Sequence, residues 1–171
     1  MDTTTLLQHR QAKDEYFATD HGSPLDHARR PTFDGLRYYD PNPDLVFTVP
    51  VEPGDGAEVR VATSDGAEKV YRRLGRIAFD VAGQSAELTL YSTGHPGLFI
   101  PVRDSTSGKA TYGAGRYLDV EPNGDGTVTI DFNYAYNPYC TYSEGYSCPL
   151  PPGENWLNVP IEAGELDFPT N

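Results

Sequence analysis

Cys140 and Cys148 are the only cysteines in a chain of 171 residues. They sit in a stretch crowded with Tyr134, Tyr136, Tyr139, Tyr142 and Tyr146 and closed by Pro149-Leu150-Pro151-Pro152. Three chemistries are open to two thiols at this separation. A disulfide would close a short loop and add about 2–3 kcal/mol by restricting the unfolded chain, although a reducing cytoplasm disfavours the bond. Free thiols would pack against the tyrosines as small apolar groups. A tetrahedral metal site would need two more ligands, and no further Cys or His lies nearby in the sequence.

The same half of the chain holds a set of polar side chains able to build a pocket: Arg103, Asp104, Tyr112, Arg116, Asp131, Asn133, Tyr136, Asn137, Tyr142, Glu154 and Asn155. On a strand around Phe132, alternation puts Asp131, Asn133 and Ala135 on one face. If that face points inward, a carboxylate and an amide are buried together and need partners. Arg103 and Arg116 are the candidates to pair with Asp131, and Asn137 to tie down the following loop. Read as a site, these residues line a tyrosine-walled pocket in the mouth of a barrel, with Arg116, Asp131 and Glu154 as its charged groups. Two carboxylates in such a pocket can serve as acid and base when burial separates their pKa values. Read as structure, Asp and Asn beside Pro fix turns through side-chain to backbone hydrogen bonds, and an Arg–Asp pair holds a loop on a sheet without any catalytic role.

Other motifs fail on particular residues. Gly113-Ala114-Gly115 begins a dinucleotide fingerprint, but Leu118 stands at its last position and a strand follows, so no helix N-terminus is there to hold a pyrophosphate. Asp119 to Ile130 has the spacing of a calcium loop through Asp119, Glu121, Asn123 and Gly124. Ile130 stands where a bidentate Glu is required, and Pro122 interrupts the loop. No phosphate-binding loop, nucleophile elbow or zinc-protease helix is present. The four histidines, His9, His21, His27 and His95, are scattered. No cofactor is named by any motif.

The elements that must hold these residues change character near residue 30. Thr3 to Thr19 reads as an amphipathic helix capped by Thr3 or Thr4, with Leu6, Leu7, Tyr16 and Phe17 on one stripe. His21-Gly22-Ser23-Pro24 stops it, and Asp26 to Arg30 suits one further helical turn. Strands are expected at Leu36–Tyr39, Leu45–Glu52, Glu58–Thr63, Gly75–Val81, Ala86–Ser92, Arg116–Glu121 and Thr127–Phe132. Turns such as Asp65-Gly66 and Gly124-Asp125-Gly126 separate them. With 17 glycines and 15 prolines, a helical fold after residue 30 is not expected.

Composition limits the partners. The net charge is −12, which repels phosphate backbones and anionic membranes and argues against nucleic-acid or membrane binding. Lys13, Lys69 and Lys109 are the only lysines among thirteen basic residues. That balance fits a protein of a salt-rich cytoplasm, and fits equally an ordinary acidic protein kept soluble by its charge. Residues 1–17 lack the apolar core of a signal peptide, and no stretch approaches the length of a membrane span. The expected location is the cytoplasm. One domain is expected over 1–171, with a helical arm at 1–30 and a β domain at 31–171.

From Thr106 to Glu165 the chain resembles a prokaryotic family known as domain of unknown function 1684. The motifs that carry the likeness are Asp104-x-Thr106-x-Gly108, Thr111-Tyr112, Gly115 to Leu118, Asp131 to Asn133, Ala135 to Pro138, Cys140, Tyr142, Tyr146, Cys148 to Pro152, Glu154-Asn155, Leu157, Ile161 and Ala163 to Glu165. Ser23-Pro24-Leu25, Phe33 and Gly35 to Pro41 extend it towards the N-terminus. The family carries no established activity, so the resemblance implies no catalytic role. It implies that both cysteines belong to the pattern, which favours their acting as a pair.

The reading is therefore an all-β antiparallel barrel or sandwich with an N-terminal α-helix and a long ordered Tyr/Pro-rich C-terminal loop. Its expected function is binding of a small polar or cationic ligand between tyrosines. The alternatives are a hydrolase with a carboxylate base and a structural or interaction module. Oligomeric state is left open.

Overall fold

A computed structural model describes residues 1–169. Helix α1 spans Thr3–Thr19, as the sequence suggests, but its cap is Asp2. The Asp2 carboxylate accepts from the backbone N–H groups of Thr4 at 3.0 Å and Thr5 at 3.2 Å, a role for which its charge suits it. The buried stripe also differs. Leu6, Arg10 and Phe17 are buried, whereas Leu7 is exposed. Leu6 and Leu7 lie about 100° apart around the helix, and the structure turns Leu6 inward and Leu7 to solvent. The spacing that counts is 6, 10, 13, 17, and it carries Arg10 and Lys13 inward between two apolar anchors.

The strands are β1 (Val46–Pro50), β2 (Glu52–Pro53), β3 (Glu58–Ala62), β4 (Glu68–Val81), β5 (Gln84–Ser92), β6 (Leu98–Val102), β7 (Arg116–Val120) and β8 (Thr127–Asp131). All ladders are antiparallel. The larger sheet runs β2-β4-β5-β6-β7 with β3 also paired to β4, and β1 pairs with β8 in a second, two-stranded sheet. The strands do not close: β3 and β7 end up at opposite edges and share no ladder. The architecture is a sandwich, and the barrel alternative is set aside.

The expected strand from Gly75 covers only half of β4. The register against β5 shifts between Arg73 and Gly75. A bulge of one residue exchanges the faces of a strand. Tyr71 therefore packs with Tyr91 in one apolar cluster, while Ile77, Phe79 and Val81 pack with Leu88 and Leu90 in the other. That change of phase hides the first half of β4 from a search for alternation. Strand β6 was not expected either, because Leu98-Phe99-Ile100-Pro101-Val102 does not alternate. The structure buries both its faces, with Ile100 and Val102 in the larger cluster and Phe99 in the smaller. Leu36–Tyr39 is not a strand. Tyr38 makes one antiparallel bridge to Glu165, flanked by Tyr39 N–H donating to the Gly164 carbonyl at 2.9 Å.

Strands β5 and β6 touch at one pair, Tyr91 with Phe99, and then separate. The side-chain amide of Asn155 lies in the gap. Its Oδ1 accepts from the Thr89 N–H at 2.8 Å, and its Nδ2 donates to the carbonyls of Thr89 at 3.0 Å and Pro101 at 2.9 Å. One side chain thus replaces a missing rung of the ladder, at a place where Pro101 has no N–H to offer.

Candidate functional site

The polar residues of the C-terminal half do not converge on one pocket. Asp131 caps the short 3-10 turn Phe132–Tyr134 by accepting from Asn133 N–H at 2.9 Å. The Asn133 side chain holds the loop before β1, accepting from Asn42 N–H at 2.7 Å and donating to the Asn42 carbonyl at 2.9 Å. Neither Arg103 nor Arg116 pairs with Asp131. The Arg116 guanidinium instead donates to Asp104 Oδ2 at 2.8 Å and to the carbonyls of Ile161 and Ala163. The guanidinium of Arg103 lies 4.7 Å from the centroid of Trp156. Glu154 accepts from the Tyr91 hydroxyl and from Arg73 Nε, away from Asp131. The carboxylate pair considered for a hydrolase is therefore not assembled.

What does form is a cleft of about 230 Å³ where α1 crosses the turn after β8. Asn133 and Tyr136, expected at a site, line it, together with Tyr134, Ala135 and Tyr139. Its remaining walls are His9, Arg10 and Lys13 from α1, then Tyr38 and Glu165. Glu165 is held by its backbone, whose N–H donates to the Ala135 carbonyl at 2.9 Å. The preceding residue must be glycine. Gly164 has φ +77°, and a Cβ there would lie 2.6 Å from the Ala135 oxygen.

Charge is concentrated at the floor. Lys13 Nζ donates to one Glu165 oxygen. The other accepts from Asn137 N–H at 2.7 Å and from the Tyr142 hydroxyl at 2.8 Å. Asn137 and Tyr142 therefore stand behind the cleft, orienting its carboxylate. The Arg10 guanidinium stacks 4.4 Å from the Tyr38 ring centroid, and the His9 ring meets Tyr134 edge-on at 5.1 Å. Burial, with Lys13 next, holds His9 below the usual histidine range. Burial, followed by the Glu165 and Asp14 charges, pushes Tyr38 far above the usual phenol value. Sequence reasoning missed His9, Arg10, Lys13, Tyr38 and Glu165. The usable signal was the helical spacing Leu6-Arg10-Lys13-Phe17, which puts two basic residues on the stripe that must face inward.

The family profile described as "Protein of unknown function (DUF1684)" matches residues 31–166. This chain belongs to the DUF1684 family. No curated protein matches it. Among solved structures, it is similar to the solution NMR structure of an uncharacterized protein from Haloarcula marismortui. The two are 38% identical over 96% of this chain and 93% of that one, with a TM-score of 0.74. The DUF1684 profile begins at residue 31, so the three cleft residues from α1 lie outside the matched segment.

The two thiols of this DUF1684 chain lie side by side. Cys140 N–H donates to Cys148 Sγ at 3.3 Å, and the Tyr112 hydroxyl lies 3.6 Å from Cys140 Sγ. Burial pushes the Cys148 thiol up to about 11. The thiolate is the reactive form. Under reducing conditions at pH 8, Cys148 of the folded protein is expected to alkylate roughly 100-fold more slowly than in the urea-unfolded chain, from the thiolate fractions alone. Peptide mapping after timed iodoacetamide treatment measures this, and equal rates in the two states would refute it. Among the described residues, no three His, Cys, Asp or Glu side chains gather as a metal site, and no helix is long and apolar enough to cross a membrane.

Proposed function

We propose that this protein binds a small polar organic molecule in the tyrosine-lined cleft beneath α1. The observation that carries the reading is the combination of aromatic walls with a charged floor. Tyr134, Tyr136 and Tyr139 offer ring surface, while Arg10, Lys13 and Glu165 hold buried charge that packing alone does not require. A cavity of about 150 Å³ takes benzene, so 230 Å³ admits a ring with a polar group attached. The reading treats residues 1–171 as one unit, because α1 and the β region each supply part of the walls. A carboxylate-base hydrolase is disfavoured, since both Glu165 oxygens already accept hydrogen bonds. The acidic, lysine-poor composition and the likeness to a Haloarcula protein favour a salt-rich cytoplasm as the setting.

Native mass spectrometry tests the proposal. Protein purified without chelator or reductant is mixed with small ring-bearing fragments. One-to-one adducts that compete with one another and vanish on denaturation are expected. Absence of any stoichiometric adduct, or adducts that add without competing, refutes a single cleft. The denatured spectrum also reads the thiols, since a disulfide between Cys140 and Cys148 leaves the chain two hydrogens lighter.

A further inference from the structure

This inference rests on the cleft reading and names the chemistry of the occupant. Buried charge is normally paired, because an isolated ion loses its hydration without compensation. Arg116, 1% exposed, obeys that rule through Asp104. Arg10 does not. It is 8% exposed, yet no carboxylate lies within 4 Å of it among the described residues. Its Nη1 donates to the Tyr39 carbonyl at 3.0 Å, and Nη2 reaches the Asn133 carbonyl only at 3.5 Å. Among the described residues, its Nε–H is buried without a hydrogen-bond partner, and so is the Tyr38 hydroxyl. Both residues line the cleft. The one carboxylate there, Glu165, is neutralised by Lys13 and closed off by Asn137 and Tyr142. The floor thus holds a guanidinium whose neighbouring carboxylates, Glu165, Asp131 and Asp40, act on it only from beyond 4 Å, and two donors, the Arg10 Nε–H and the Tyr38 hydroxyl, without partners among the described residues.

We propose that the cleft binds a monoanionic organic carboxylate, with its carboxyl group on Arg10 and Tyr38 and its body against the rings of Tyr134, Tyr136 and Tyr139. A planar guanidinium fork matches a carboxylate in charge and geometry. A phosphate monoester brings up to two negative charges near neutral pH, one more than this floor offsets. The cation-binding option considered from sequence has no free carboxylate here to receive it. The acidic remainder of the protein slows the approach of every anion alike, so a carboxylate is retained by its contacts inside the cleft.

Amide chemical-shift mapping of the full chain, titrated with benzoate, benzamide, benzylamine and phenyl phosphate, tests this. Benzoate is expected to move amides near residues 9–13, 38–39 and 133–139, and benzamide to bind at least about 10-fold more weakly. Arg10→Gln should abolish the benzoate shifts. Tyr38→Phe, which leaves the ring stack in place, should weaken binding about 5-fold, so the test survives if Arg10→Gln does not fold. Benzamide or benzylamine binding in the cleft as tightly as benzoate overturns the carboxylate while leaving the cleft reading intact. Tighter phenyl phosphate overturns the monoanion. Benzoate shifts unchanged in Tyr38→Phe overturn the assigned contact. Failure of all four probes to move cleft amides at millimolar concentration overturns both readings.

Discussion

Arg116→Ala is expected to destabilise the protein by about 3–5 kcal/mol, the range for breaking a buried ion pair from one side. Arg116 is 1% exposed and ties three parts of the chain together. It pairs with Asp104, which itself accepts from the Thr106 N–H at 2.6 Å and the Thr106 hydroxyl at 2.5 Å. It also donates to the carbonyls of Ile161 and Ala163, just before Glu165. Alanine would leave the Asp104 carboxylate buried without its cation and the carbonyls without donors. Urea unfolding monitored by circular dichroism measures the loss. Asp104→Asn combined with Arg116→Met should cost less than the two single changes added together, because it removes both charges at once. A cost for Arg116→Ala below about 1 kcal/mol would show that the pair does not hold the C-terminal segment.

The second large effect is a loss of stability in alkali. Tyr91, Tyr117 and Tyr142 are 0%, 7% and 2% exposed. Burial comes first in pushing all three phenols above their ordinary value, joined by Glu154 at Tyr91, the Cys148 thiol at Tyr117 and Glu165 at Tyr142. In the unfolded chain they ionise near 10. Above that pH the unfolded state has released protons that the folded state still holds, so stability falls as pH rises. Stability from these groups is complete below about pH 10. At pH 11 each phenol that stays protonated in the fold costs on the order of 1 kcal/mol, and the three together several times that. That is a large part of an ordinary folding free energy. Tyrosinate absorbance and near-ultraviolet dichroism should therefore change together in one steep transition. A gradual titration near pH 10 with the dichroism intact would contradict the burial of these rings.

The antiparallel β class and most strands were legible because they alternate, and α1 because a stop follows it, while the choice between barrel and sandwich came only from the strand pairing. Glu58–Ala62 and Thr127–Asp131 alternate cleanly, and Thr3–Thr19 ends at a Gly-Ser-Pro stop. The elements that escaped do so for local reasons. The bulge at Arg73–Gly75 puts the two halves of β4 out of phase, and β6 is apolar on both faces. The cleft was half legible. Asn133, Tyr136, Asn137 and Tyr142 stand out as polar and aromatic residues crowded together. Their partner Glu165 is some thirty positions away in sequence, and Arg10 and Lys13 are on a helix whose charged residues read as solvent-facing. Only the fold shows that Leu6 and Phe17 turn those two cations inward. Asp131, Arg103 and Glu154 look equally site-like in sequence, yet each is engaged with backbone, ring or salt bridge elsewhere.

The amide of Asn155 between β5 and β6 has a consequence for how the chain is made. Thr89 and Pro101 emerge from the ribosome more than fifty residues before Asn155. Until it arrives, the two strands have one paired position and three backbone groups without protein partners. Without Asn155 those groups can be satisfied only by water, which holds the two strands apart at that point. The gap closes only once Asn155 docks, a contact made across more than fifty residues of chain. Such sequence-distant closure is slow. A chain stalled before residue 155 leaves its apolar strands exposed to neighbours, so a transcript truncated there should yield aggregate rather than a smaller folded protein.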